Sequence, residues 1–180
     1  VAKKVTSVDS SNNFLNVTIA QSLVKEQKMD YILQKGTELG AKEFIPLITT
    51  RSVVKIDKKE ERKINRWNLI VKEASEQSKR LEIPLVNKAY NIKELSTLEY
   101  DYKILCTVNE LSKNIKTVLS NIRESDRILI VVGPEGGFTK EEEECPINNG
   151  FISVSLGSRV LRTETASLFV LSIINYILMR

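Results

Sequence analysis

Apolar positions along the chain change period repeatedly, and each change marks a predicted element. Residues 14–19 alternate with period two and predict a strand. Met29, Ile32, Leu33 and Leu39 mark the apolar side of a helix over 28–39, stopped by Gly40 in the left-handed region. Residues 43–48 read as a strand. From 57 to 81, Ile64, Trp67, Val71, Ala74, Ser78 and Leu81 step by three or four, the stripe of a long amphipathic helix. Residues 83–86 are short and extended, 91–98 predict a short helix and 103–107 a strand. A helix over 111–122 and a strongly apolar strand over 127–132 follow. The chain ends with a helix over 139–148 that Pro146 kinks or shortens, a strand over 151–156 and a helix over 163–179.

Strands alternating with helices predict an α/β fold, with a mainly parallel sheet and right-handed crossovers. Five consecutive apolar residues from Ile128 to Val132 suit a central strand covered on both faces. Ser10-Ser11-Asn12-Asn13 reads as a hairpin turn, which makes residues 1–20 the remnant of an antiparallel unit outside the parallel core. The apolar-rich stretch 166–179 is interrupted by Ser167, Ser172 and Asn175, and is shorter than the roughly 20 residues that cross a bilayer. No apolar signal core opens the chain, so a soluble cytoplasmic protein with no membrane partner is expected. The chain does not begin with Met, and a missing N-terminal part is expected.

Composition then narrows the chemistry. Among 180 residues there is no histidine, which excludes Ser-His-Asp and Cys-His catalysis, imidazole bases and His-containing metal sites. Two cysteines, Cys106 and Cys145, cannot make a zinc site alone. A disulfide is possible on paper, and both read as reduced thiols. The net charge of +4 is uneven: residues 1–90 balance to +6 and residues 91–180 to −2, so a polyanion should meet the first half. Scattered solubilising lysines are the alternative.

Two strand–loop–helix units carry the candidate chemistry. In the first, the 128–132 strand runs into Gly133-Pro134-Glu135-Gly136-Gly137-Phe138, and Thr139 with Glu142 forms a capping box for the next helix. The glycines allow a sharp turn and close ligand approach beyond the carboxyl end of a strand. The loop is neither a P-loop nor a GxGxxG fingerprint. Glu141 to Glu144 would repel a phosphate at that helix start, so a neutral or cationic ligand fits better than a polyphosphate. A purely structural turn is the other reading. In the second unit, Gly157-Ser158-Arg159-Val160-Leu161-Arg162 leads into Thr163-Glu164-Thr165-Ala166 and an apolar helix, buried in a core or an interface. Arg162 and Glu164 form either a local ion pair or a functional pair.

Together, 133–138 and Leu156-Gly157-Ser158-Arg159-Val160-Leu161-Arg162-Thr163-Glu164-Thr165-Ala166 resemble the RsmE family, 16S ribosomal RNA (uracil-1498-N3)-methyltransferases of the SPOUT superfamily. Gln34-Lys35-Gly36-Thr37-Glu38-Leu39-Gly40, Arg51-Ser52 and Glu73-Ala74-Ser75-Glu76-Gln77-Ser78-Lys79-Arg80 match in the same order. The resemblance implies a SPOUT-type parallel sheet over 21–180 with a C-terminal trefoil knot, and a homodimer packed through knot helices. It also implies that residues 1–20 are remnant strands of an N-terminal PUA-like RNA-binding barrel. Gly36 stands where the family commonly has Ala, which weakens that helix slightly.

The implied cofactor is S-adenosyl-L-methionine, whose sulfonium tolerates an acidic helix start. By the resemblance, its site draws on Thr107, Asn109, Val132, Gly133, Glu135, Gly137, Leu156, Gly157, Val160, Leu161 and Ala166. The implied substrate is 16S ribosomal RNA of the small subunit. Removing the uracil N3 proton without histidine leaves a carboxylate base, or an arginine stabilising the anion on O2 or O4. Arg162 and Glu164 are the first candidates, Glu76 and Arg80 the next, and no metal is called for. RNA is expected on Arg51, Lys58, Lys59, Arg62, Lys63, Arg66 and Lys79. A solvated face interleaved with Glu60 and Glu61 is the other reading of the Lys58–Arg66 cluster. Alternatives for the whole chain are a SPOUT enzyme with another RNA target, a non-catalytic RNA-binding or assembly factor, and a generic nucleotide-binding domain.

Overall fold

The protein is described from a computed structural model, over residues 15–54 and 60–178. Its elements run β1 (Val17–Ser22), α1 (Glu26–Glu38), β2 (Glu43–Ile48), α2 (Glu60–Gln77), β3 (Leu85–Val86), β4 (Tyr90–Asn91), α3 (Ile92–Ser96), β5 (Tyr102–Cys106), α4 (Ile115–Leu119), β6 (Ile128–Val132), α5 (Lys140–Asn148), β7 (Ile152–Val154) and α6 (Thr163–Leu178). The seven strands form one sheet in the order β3-β2-β1-β6-β5-β7, with β4 also on β2, and every pairing is parallel. The α/β fold expected from the alternating periods is present.

Period two sorts the strand residues onto two faces. Val17, Ile19, Phe44, Ile104, Ile128 and Ile130 face a core shared with Met29, Ile32 and Leu33 of α1, Trp67 and Val71 of α2, and Val170, Leu171 and Ile174 of α6. Ala20, Ile45, Leu47, Leu105, Leu129 and Val131 face a second core with Ile92 and Leu95 of α3, Phe138 and Phe151. All five residues of β6 are buried, as their unbroken apolar run predicts. None of the described helices is long and apolar enough to cross a membrane.

Several expectations need correction. Residues 17–20 do not lie outside the parallel core: β1 pairs with β2 and β6 at the sheet's centre, and the expected boundary at 20/21 would cut that strand. Residues 1–14, including the expected turn at 10–13, lie outside the described residues. The helix expected over 111–122 shrinks to α4, because the Glu110 carboxylate accepts from the Ser112 and Lys113 amides at 2.8 and 3.1 Å. Asn114 then caps the true start, and Leu111, read as a helix residue, is 92% exposed. The strand expected over 151–156 is trimmed to the three residues of β7.

α2 ends before Leu81, because Lys79 adopts φ 58° and the Arg80 amide bonds the Ser75 carbonyl at 2.9 Å. Pro146 lies inside α5 near its end. Gly36 is more than a weak helix residue. A Cβ there would meet the Phe44 ring at 2.8 Å, so the missing side chain lets α1 lie against β2.

Candidate functional site

Because β6, β5 and β7 are adjacent and parallel, the three segments that follow them emerge at the carboxyl edge of the sheet. This is where open α/β sheets bind ligands. Val132 closes β6 and is buried; Gly133 follows, with the Phe138 ring folded so tightly against it that a Cβ would lie 3.0 Å away. Gly137 and Gly157 take φ +68° and +115°, and neither would place a Cβ within 4 Å of another group. Both turns are therefore open on the side where a side chain would project. Leu156 and Leu161 are partly buried against the core and Ala166 is buried with it, whereas Val160 is 82% exposed.

Two glutamates of the α5 run hold these segments together. Glu142 caps the Thr139 amide at 3.0 Å and also accepts from the Thr50 amide at 2.7 Å. Glu143 accepts from the Thr107 hydroxyl, and from Asn109 Nδ2 at 2.9 Å. Thr107 and Asn109 are thus brought to the glycine-loop helix. Glu110 ties the same segment to β7 through the Ser153 hydroxyl at 2.7 Å. Hydrogen bonds from Ser112, Ser153 and the backbone hold its carboxyl down at about 2. Cys106, at the end of β5, is a free thiol that burial pushes up to about 12, which makes it inert.

A buried amide, missed in the sequence, links the glycine loop to α6. Gln21 is fully buried; its Nε2 donates to Thr163 Oγ1 at 2.8 Å, and its Oε1 accepts from the Ser167 hydroxyl. Thr163 in turn donates to the Gly133 carbonyl at 2.6 Å. The only available signal was a glutamine within the otherwise apolar end of a strand. Lys28 makes a second, outer link: its Nζ lies 2.9 Å from Glu135 Oε1 and 3.4 Å from Glu164 Oε2. Nothing in local spacing announces that contact, since Lys28 and Glu135 are 107 residues apart in sequence.

The four catalytic candidates do not converge. Arg162 is exposed at the carboxyl edge; its carbonyl accepts from the Ala166 amide at 2.9 Å, and among the described residues its guanidinium makes no hydrogen bond or ion pair. Glu164 pairs with Lys28 rather than with Arg162, so the local ion pair is not formed. Arg80 is at the opposite edge, donating to the Thr37 and Ala41 carbonyls at 2.6 and 2.9 Å, where it caps α1. Burial lowers its pKa, with Glu82 opposing. Glu76 is exposed beside it, 3.9 Å from Lys72.

Nor are the basic candidates equivalent. Arg51 donates to the Gly136 and Phe138 carbonyls at 2.9 and 3.0 Å, bracing the glycine loop. Arg66 is paired with Glu26 at 2.6 Å and with Asp30. Arg62 is exposed and Lys63 half-buried on the first turns of α2, while Lys79 is exposed at the far end of that helix. Lys58 and Lys59 lie outside the described residues.

A family model described as "RNA methyltransferase domain" matches residues 10–175. The chain is 43% identical over 169 residues to the ribosomal RNA small subunit methyltransferase E of Bacillus subtilis, spanning 90% of this chain and 66%, just under two thirds, of that protein. Among solved structures, it is similar to a ribosomal RNA small subunit methyltransferase E from Neisseria gonorrhoeae bound to S-adenosyl methionine. That match has 35% identity and a TM-score of 0.82, covering 94% of this chain and 70% of the other. A putative methyltransferase from Legionella pneumophila in complex with the same cofactor matches at 34% identity and TM-score 0.84, over 90% of this chain and 66% of that one.

Proposed function

Because the chain belongs to the RsmE family of ribosomal RNA methyltransferases, we propose that it methylates N3 of a uridine in 16S ribosomal RNA, with S-adenosylmethionine as methyl donor. The observation that carries this reading is the exposed guanidinium of Arg162, unpaired among the described residues, one residue before a helix whose first turn is tied to the glycine loop.

The residues fit the donor. The two open positive-φ turns at Gly137 and Gly157 leave backbone accessible for an adenosine. The acidic surroundings, Glu135 and the α5 glutamates, suit a cation and disfavour a polyphosphate. Val132, Gly133, Leu156, Gly157 and Leu161 would hold the adenosine, with Thr107 and Asn109 bordering it, and Glu135, Gly137, Val160 and Ala166 complete the set. When bound, the donor supplies an electrophilic methyl on a sulfonium.

Arg162 has the chemistry to stabilise the negative charge that develops on uracil O2 or O4 as the N3 proton passes to solvent water at this exposed edge. Glu164 is engaged with Lys28, so we assign it to holding α6 rather than to taking the proton. Arg80 and Glu76, at the far edge, have no part in the chemistry of one chain.

RNA reaches this edge along Arg62, Lys63 and the start of α2, with contacts to phosphate that read no sequence. A second copy of the chain is expected on α6, whose outer face presents Phe169 and Tyr176, 40% and 80% exposed. The trefoil knot is supported by the position of β5 between β6 and β7, and by the Asn114–Ser155 bridge.

The test is methyl transfer to small ribosomal subunits from a strain lacking this modification, with the product located by mass spectrometry. A 3-methyluridine supports the reading. A 2′-O-methyl product, or no cofactor binding by calorimetry, overturns it.

A further inference from the structure

Lys28 projects from the first turn of α1 to the point where the glycine loop meets α6. Its ammonium lies 2.9 Å from Glu135, two residues beyond Gly133, and 3.4 Å from Glu164, two residues beyond Arg162. We infer that Lys28 is a positioning residue for methyl transfer, holding the first turn of α6, and with it Arg162, in register with the glycine loop. This rests on the proposed methyltransferase reading.

An ion pair of partly exposed groups ordinarily contributes little, because water replaces a lost partner. Glu164 differs on that point. Its Oε2 is buried and receives no hydrogen bond, so the 3.4 Å contact with Lys28 is an ion-pair contact alone. Without the ammonium, that oxygen would be a buried charge that has lost its cation, and Glu135, the other carboxylate on that cation, would add like charge nearby. The carboxylate would have to turn out to solvent, and the first turn of α6 would move with it.

The glycine loop has independent support, from Arg51 on the Gly136 and Phe138 carbonyls and from Thr163 on the Gly133 carbonyl. The inner Gln21–Thr163–Ser167 link also keeps α6 docked. Losing Lys28 should therefore displace the arginine without dismantling the cofactor floor or the fold. The hydrogen bond to Glu135 raises the Lys28 pKa against slight desolvation, with both carboxylate charges adding, so the ammonium persists at neutral pH.

The test compares Lys28→Met and Lys28→Arg with the wild type in steady-state methyl transfer, cofactor calorimetry and thermal melting. In Lys28→Met, kcat should fall at least about tenfold, since a displacement near 1 Å is enough for such losses. Cofactor Kd should stay within about threefold and the thermal midpoint within about 3 °C. Lys28→Arg, which can span both carboxylates, should restore kcat to within about threefold of wild type.

An unchanged kcat in Lys28→Met overturns the assignment, as does a loss that Lys28→Arg fails to restore. A loss matched by weaker cofactor binding or a lowered melting point also overturns it, because Lys28 would then serve the loop or the fold. A wild-type protein that methylates no ribosomal RNA overturns the functional reading itself, and the assignment with it.

Discussion

The two edges of the parallel sheet are built from similar residues and treat them differently. At the amino edge, polar side chains close on the protein's own backbone and on each other. Arg80 caps two carbonyls of the α1 end, and Lys103 donates to the Asn149 carbonyl at 2.7 Å. Glu43 gathers Thr18, Asn87 and the Tyr100 hydroxyl, and Arg127 stacks 4.8 Å above the Tyr100 ring. At the carboxyl edge, side chains fasten the loops to one another, leave open space beside two positive-φ glycines and leave one guanidinium, that of Arg162, without a partner among the described residues. Arg51, at the same edge, is held by the Gly136 and Phe138 carbonyls, so an arginine's role follows from the partners its fold position brings to it more than from its residue type.

The strongest way to break this comparison is to remove one arginine from each edge. Arg162→Ala should lower methyl transfer by about 100- to 1000-fold, as for loss of a group that stabilises developing charge. Its thermal midpoint should stay within about 2 °C of wild type, since the exposed guanidinium makes no hydrogen bond or ion pair among the described residues. Arg80→Ala should do the opposite, costing about 2 kcal/mol in denaturant unfolding for two charge-assisted hydrogen bonds, with kcat at permissive temperature nearly unchanged. A catalytically dead but stable Arg80→Ala would return Arg80 to the mechanism, acting across a dimer.

The same contrast explains what the sequence could tell. The carboxyl-edge loops were legible because their chemistry is local: glycines that must turn, a Thr139/Glu142 capping box and an arginine next to a helix start. The strand faces were legible for the same reason, through period two. The long-range partners were not. Arg80 and Arg162 look alike in one dimension, and only the reversal of direction along α2 sends Arg80 to the far edge. Gln21 and Lys28 draw their roles from residues more than 100 positions away. Arg51 read as a phosphate ligand because its carbonyl partners belong to another loop.

Smaller effects sharpen the comparison. Gly157→Ala places a side chain at φ +115°, and should destabilise the protein by about 1 kcal/mol or more, measured by denaturant melting. Cofactor affinity should fall with it, since the turn belongs to the open edge; unchanged calorimetric affinity would remove Gly157 from the site. Glu110 tests the edge by pH. Its folded carboxyl is held at about 2 against an ordinary 4.5, so its contribution is fully present above about 4.5 and is lost as pH falls toward 2. Wild type and Glu110→Ala should therefore differ most in thermal midpoint near neutrality and converge on acidification. A constant difference between pH 5 and 2 would mean that the link between the β5 segment and Ser153 does not titrate in the fold.

The smallest expected effect lies at the amino edge and carries the opposite sign. Lys79 is the only non-glycine with positive φ among the described residues, holding a left-handed position that ends α2. At the carboxyl edge the equivalent demand at Gly137 and Gly157 is met by glycine. Lys79→Gly should therefore stabilise the protein by about 0.5–1 kcal/mol, read as a higher denaturant midpoint at unchanged slope. It also removes an exposed cation once expected on RNA. If the amino edge serves only the fold, KM for the ribosomal subunit will not change while stability rises. If Lys79 contacts phosphate, KM will rise and the salt dependence of binding will flatten by about one charge. The two readouts move independently, so one variant decides whether the edge that builds the fold also meets the RNA.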